Sequence, residues 1–240
     1  MLAHRVKLEL RQHGAMLIKL LSKYFLIFFL LAPFFANAIY VGNQTFSINS
    51  DSNMYAKLVI NNNQAPRLYR ITIRAIVSPG TSEVYFQPND GELLFAPRQM
   101  MLKPGEGDFF KFYYHGPADD KERYYRIAFE EIPPQNKKSK NAKDNIISMM
   151  PVIVMDTILV VRPRKINFEW FLDHSHGEVA NKGNTWFKLL LKPGCGATED
   201  TSSTWYLRPG EALKSGYVKG AGEIFILYND SFIKIHDDCT

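Results

Sequence analysis

From residue 38 onward, apolar and polar residues alternate in short runs and do not recur at a helical spacing. The runs include AIYVGNQTFSI (38–48), MYAKLVI (54–60), RLYRITIRAIV (67–77), DFFKFYYH (108–115), RYYRIAFEEI (123–132), PVIVMDTILVV (151–161), NTWFKLLL (184–191) and EIFILYND (223–230). Val, Ile, Tyr and Phe dominate them, and such side chains pack well on a pleated, half-buried surface. Between them stand Asn61-Asn62-Asn63, Pro79-Gly80, Asn89-Asp90-Gly91 and Lys103-Pro104-Gly105-Glu106, residue types that turn a chain. Short strands at this spacing predict an all-β protein made of two immunoglobulin-like β-sandwich domains in tandem. The boundary falls near Arg162-Pro163, giving domains 39–161 and 162–240. About seven strand candidates precede it. A second cluster follows it, with Trp186, Trp205 and both cysteines. The polar tract 136–145 (NKKSKNAKDN) reads as a solvated loop just before the apolar run 146–161. Its alternative reading is a basic patch for nucleic acid or anionic lipid.

The N-terminus has a different pattern. From Met16 the chain reads MLIKLLSK, then YFLIFFLLAPFF, then Ala36-Asn37-Ala38. A short basic region, an apolar stretch of about 12 residues and a small-x-small site describe a secretory signal over 1–38. Residues 1–15 read as an overhang before a start at Met16. A membrane-spanning helix needs roughly 20 apolar residues, and Pro33 interrupts this run. The mature chain is expected to begin at Ile39 and to leave the cytoplasm.

Composition adds little beyond ordinary globularity: 46% hydrophobic, 22% charged, 15 Gly and 13 Pro, which excludes collagen, coiled coil and wholesale disorder. The formal charge of +5 looks like a hint of nucleic acid. However, five of the 29 basic residues and one of the 24 acidic residues lie in 1–38, so the rest is nearly neutral. No nucleic-acid partner is expected.

Candidate chemistry is sparse. The chain has no phosphate loop, no nucleophile elbow, no His-Glu-x-x-His and no Cys-x-x-Cys. His174-x-His176 has metal-like spacing on a strand, but its setting, DHSHGE, also reads as a polar hairpin turn. Glu130 and Glu131 point to opposite faces of a strand and form no acid pair. Cys195 and Cys239 favour a disulfide in an exported chain; a catalytic cysteine would lack any local motif. No enzyme, metal or cofactor is nominated.

Three stretches together carry a family resemblance: LLFAPRQMMLKPGEGDFFKF (93–112), DDKERYYRIAFEEIPP (119–134), and the apolar strand ending in Val161-Arg162-Pro163. Downstream, GEVANKGNTWFKLLL (177–191) and WYLRPGEAL (205–213) continue the match. The chain resembles the periplasmic chaperones of the chaperone–usher pilus pathway, most closely the common-pilus branch of the alternate class. The resemblance implies a chaperone that binds pilus subunits and delivers them to an outer-membrane usher without cofactor or bond chemistry. It leaves open self-association of the free chaperone.

The mechanism it implies is strand donation. A pilin of this pathway resembles a sandwich lacking one strand, and the chaperone lends its own edge strand, alternate side chains filling the groove. Met149, Pro151, Ile153 and Met155 are the expected donor residues, on one uncharged face with Thr157 and Leu159. Pro151 lacks an N–H and suits an edge. The better-known family members anchor a subunit carboxylate with a lysine in this strand and an arginine in the first. Aligned on Arg162-Pro163, the lysine position is Ile158, and 38–48 has no basic residue. Arg126, Arg70 and Arg74 are candidate replacements, because a guanidinium can hold a carboxylate bidentately; solvent-facing sheet charges are the plainer reading. Two other classes stay open: a pilus subunit or adhesin, and a secreted hydrolase or carbohydrate-binding sandwich using aromatics such as Trp186 and Trp205, for which a place in the buried core is the plainer reading.

Overall fold

The computed structural model describes residues 39–80, 82–134 and 152–239. Seventeen strands occur among them. Ten lie before Arg162, where sequence suggested about seven, because long runs divide at turns and short pieces such as β1 (Ile39–Tyr40) and β5 (Tyr85–Phe86) pair only briefly. A four-stranded sheet runs β1, β3 (Met54–Asn61), β8 (Gly107–Tyr114), β6 (Leu93–Ala96). A six-stranded sheet runs β2 (Thr45–Ile48), β10 (Ile153–Val161), β9 (Arg123–Ile132), β4 (Arg67–Ile76), β5, with β7 (Gln99–Leu102) also on β4.

Alternation along these strands builds the core between the two sheets. In β9 the residues Tyr125, Ile127 and Phe129 are buried, and they meet Val59, Phe110 and Phe112 from the facing sheet. Phe110 and Phe129 pack edge to face with centroids 5.8 Å apart. Each such ring contributes about 1.5–3 kcal/mol by leaving water, so the interleaved aromatics hold the sheets together. The opposite faces of Glu130 and Glu131 are realised. Glu131 is buried, accepting from Asn63 Nδ2 at 2.9 Å, Tyr69 Oη at 3.2 Å and Arg67 Nε at 3.2 Å, whereas Glu130 points outward.

After Arg162 a second pair of sheets forms. One is β11 (Trp170–Asp173), β12 (Glu178–Asn181), β15 (Ala212–Lys214); the other is β14 (Ser203–Leu207), β13 (Phe187–Lys192), β16 (Glu223–Tyr228), β17 (Ser231–Asp237). Their core is Val179, Phe187, Leu189, Leu191, Ile224 and Ile226 with neighbours. Asn229 and Asp230, both at positive φ, make the two-residue turn that right-twisted hairpins favour. One turn of helix, Gly216–Lys219, was not signalled by periodicity; Ser215 caps it by accepting from Tyr217 N–H. Core placement of the two tryptophans was the expected alternative to a glycan site, and neither is fully buried: Trp205 is 39% exposed and Trp186 half-buried.

Cys195 and Cys239 form the expected disulfide. It closes a loop of sequence separation 44, and loop-closure entropy of that length corresponds to about 2–4 kcal/mol. Reduction of the purified protein is therefore expected to lower the free energy of unfolding by that amount and so to move the urea midpoint down, and an unchanged midpoint would contradict the assignment.

Candidate binding edge and adjoining basin

β10 is paired unevenly. It runs antiparallel to β9 along all 9 residues, from Ile153 opposite Glu131 to Val161 opposite Arg123. On its other side only Ile158–Val161 pair, in parallel, with Thr45–Ile48 of β2. Ile158 N–H donates to Gln44 O at 2.8 Å and Arg162 N–H to Ile48 O at 3.0 Å. Even-numbered residues thus aim their backbone groups toward β2. By the alternation of a strand, the N–H and C=O of Val154 and Asp156 emerge on the same side, where no strand among the described residues pairs with them. An open row of this kind is a template for another chain.

The side chains divide by face. Thr157, Leu159 and Val161 enter the domain's own core, and Met155 packs against its margin. Ile153 lies on that face beyond the core and is 38% exposed; Val152 and Val154 are more than half exposed. Of the expected donor residues, Ile153 is open, Met155 is partly committed inward, and Met149 and Pro151 lie outside the described residues. Thr157 and Leu159 extend the same face but serve the core.

A buried cation marks where the open edge begins. Lys57, 4% exposed, donates through Nζ to Asn43 O at 2.5 Å and lies 4.5 Å from the Phe46 ring centre. No carboxylate pairs with it among the described residues, and burial pushes its pKa down to about 8. The tie holds the turn before β2, and the next residue, Gln44, receives the Ile158 N–H.

The outer face of the six-stranded sheet carries the three arginines. Arg74 and Arg126 stand directly opposite on β4 and β9, a like-charge pair that is unfavourable unless offset. Glu83 offsets Arg126 with a two-pronged ion pair, one prong being Nε to Oε2 at 3.1 Å. That contact holds the Glu83 carboxyl below its usual range. Arg70 pairs with Glu130 through Nε at 2.9 Å and Nη2 at 2.5 Å. Exposed Arg74 rests 5.5 Å from the Tyr85 ring centre; among the described residues no carboxylate lies within 4.0 Å of it. Together with Thr72, Tyr85, Val154 and Asp156, Arg74 and Arg126 line a basin of about 290 Å³ beside the open edge. Ile158, on the same face, packs against Ile76, Tyr124, Val160 and Trp186.

Below that patch, buried Arg162 donates through Nη1 to Thr185 Oγ1 at 2.5 Å and Trp186 O at 3.0 Å, between the Trp186 and Tyr228 rings. Glu122 accepts from Trp186 N–H at 3.0 Å, Thr185 Oγ1 at 2.9 Å and Tyr124 Oη at 2.5 Å, and burial raises its pKa.

The family model for pili and flagellar-assembly chaperones, PapD N-terminal domain, matches residues 38–167. The chain belongs to the pilus-assembly chaperone family. It is 52% identical over 210 residues to a protein named Probable fimbrial chaperone EcpE from Escherichia coli, covering 88% of this chain and 89% of that one. The E. coli chaperone DraB has the same fold at 15% identity, with a TM-score of 0.51 over 83% of this chain and 97% of that one. A chain from a chaperone–tip adhesin complex of CFA/I fimbriae biogenesis is similar at 16% identity and a TM-score of 0.50, over 83% and 95%. The fold is that of pilus chaperones with two immunoglobulin-like β domains, and family membership gives the chain a chaperone role in pilus assembly.

Sequence reasoning missed two features of this chaperone. Glu83, the partner of Arg126, comes from a loop 43 residues away, a distance that no local pattern bridges. The other is Lys57, which did carry a signal: it stands at the inward position between Tyr55 and Val59 in an alternating run. With its pKa lowered, the folded state binds fewer protons than the unfolded chain between about pH 8 and 10.5, so stability rises with pH across that window. Lys57→Met is expected to stabilise the protein at pH 7, by up to about 3 kcal/mol, with the gain shrinking as pH rises from about 8 to 10.5. Urea titrations at about pH 7 and about pH 10.5 check this; equal gains would contradict it.

Proposed function

We propose that this chain is a periplasmic, non-enzymatic chaperone that lends the open edge of β10 to an incomplete fimbrial subunit and passes the subunit to an outer-membrane usher. The observation that carries the reading is the half-paired strand: Val154 and Asp156 offer backbone groups to an absent neighbour, beside the exposed side chains of Val152, Ile153 and Val154. Family membership supports it. The chain is read as an export signal over 1–38 and domains over 39–161 and 162–240. Among the described residues no helix is long and apolar enough to cross a membrane.

Backbone pairing supplies affinity and alternate side chains supply fit. Ile153 is the described donor residue that most clearly projects beyond its own core, and Met149 and Pro151 would continue the series upstream. Of the three arginines, Arg74 is the preferred anchor for a subunit carboxylate, since Arg126 and Arg70 already hold Glu83 and Glu130. No bond is made or broken, so no cofactor is required.

The test is the periplasmic level of a fimbrial subunit co-expressed with this chain. Wild type should protect the subunit, Ile153→Asp should lose protection because a charge enters an apolar groove, and Arg74→Glu should weaken co-purification about tenfold or more. Protection by Ile153→Asp equal to wild type would displace the donor register. Failure of wild type with every co-encoded subunit would overturn the function.

A further inference from the structure

The C-terminal tail and the turn after β11 meet at three ligand-type side chains. His174 follows β11, His236 lies in β17 and Asp238 comes just after it. The two imidazole rings stack with centroids 3.7 Å apart and planes 25° from parallel. His236 Nε2 stands 3.0 Å from Asp238 Oδ2, yet the angles make no hydrogen bond and this buried nitrogen has no partner. His174 Nε2 is 3.3 Å from Ala221 O. One nitrogen of each ring and one Asp238 oxygen lie within 4.8 Å of one another. No other trio of His, Cys, Asp or Glu converges in this way among the described residues.

A buried ring nitrogen without a partner is costly. Two imidazole nitrogens and one carboxylate oxygen are a donor set that suits Zn²⁺, with a fourth position for water. The pair that the sequence suggested is not the one assembled: exposed His176 turns away, its Nδ1 2.8 Å from Asp173 Oδ2. We infer that His174, His236 and Asp238 bind one divalent zinc-class cation. The two rings need to turn out of their stack so that both in-plane lone pairs meet at one ion, and the ligand atoms need to close to about 3.3 Å, the spacing that bond lengths of about 2.0–2.1 Å imply in a tetrahedral site; Asp238, 60% exposed, is free to swing inward. The ion would fasten the tail, next to the Cys195–Cys239 disulfide, to the β11–β12 turn.

The test uses tag-free protein with its disulfide intact, titrated with ZnCl₂ by calorimetry and followed by thermal unfolding. Binding of about one equivalent with a rise in Tm is expected. His236→Ala and Asp238→Asn should each lose both effects, and His176→Ala should keep them. Asp238 is at the surface, so its variant keeps the test decisive if His236→Ala unfolds. The absence of both heat and Tm shift in wild type would overturn the site, and so would undiminished binding in Asp238→Asn.

Discussion

A strand paired on both sides belongs to its domain, whereas one paired on a single side offers half of its hydrogen bonds elsewhere. β10 is both at once. Its last four residues lie between β9 and β2, and its side chains there fill the core. Its first residues keep only β9. The position of the changeover is set by the turn before β2, which Lys57 secures from beneath. The rest of the N-terminal architecture gives this arrangement rigidity, because an edge that flexed could not hold out a fixed row of donors and acceptors. The aromatic layer between the two sheets provides that rigidity through shape.

Charges are placed with similar economy. The outer sheet face holds three arginines, two satisfied by glutamates and one resting on a tyrosine ring. Arg162 and Glu122 sit in a buried joint and share Thr185 and Trp186 as partners. Burial works against ionisation of both, and the hydrogen bonds around them limit that cost. The joint serves Glu122 and the Nη1 of Arg162, while the Nε of Arg162 is buried without a partner.

The strands, the all-β class and the disulfide were legible because each is written locally, as alternation, turn residues and a pair of cysteines in a chain whose first residues read as an export signal. The face of β10 was legible too: Ile153, Met155, Thr157 and Leu159 do lie together. What alternation could not reveal is where along that face the core ends, since this depends on how far β2 reaches. The partners of Arg126 and Arg70 and the pairing of His174 with His236 depend on residues 43, 60 and 62 positions away in sequence, and such contacts exist only once the sheets have stacked. Trp205 shows the opposite limit, an apolar residue in a strand-like run that the fold leaves at the surface.

The parallel pairing of β2 has a geometric consequence for anything that joins the same edge. β2 occupies the track from Gln44 onward, so an added strand must stop short of it and cannot slide past. Only alternate residues of β10 present backbone groups there, which limits the added strand to steps of two residues, about 6.8 Å; a one-residue slip would turn its apolar face to water. For a strand added at this edge, the start of β2 would therefore be an end-stop that sets its phase before its side chains are tested for fit.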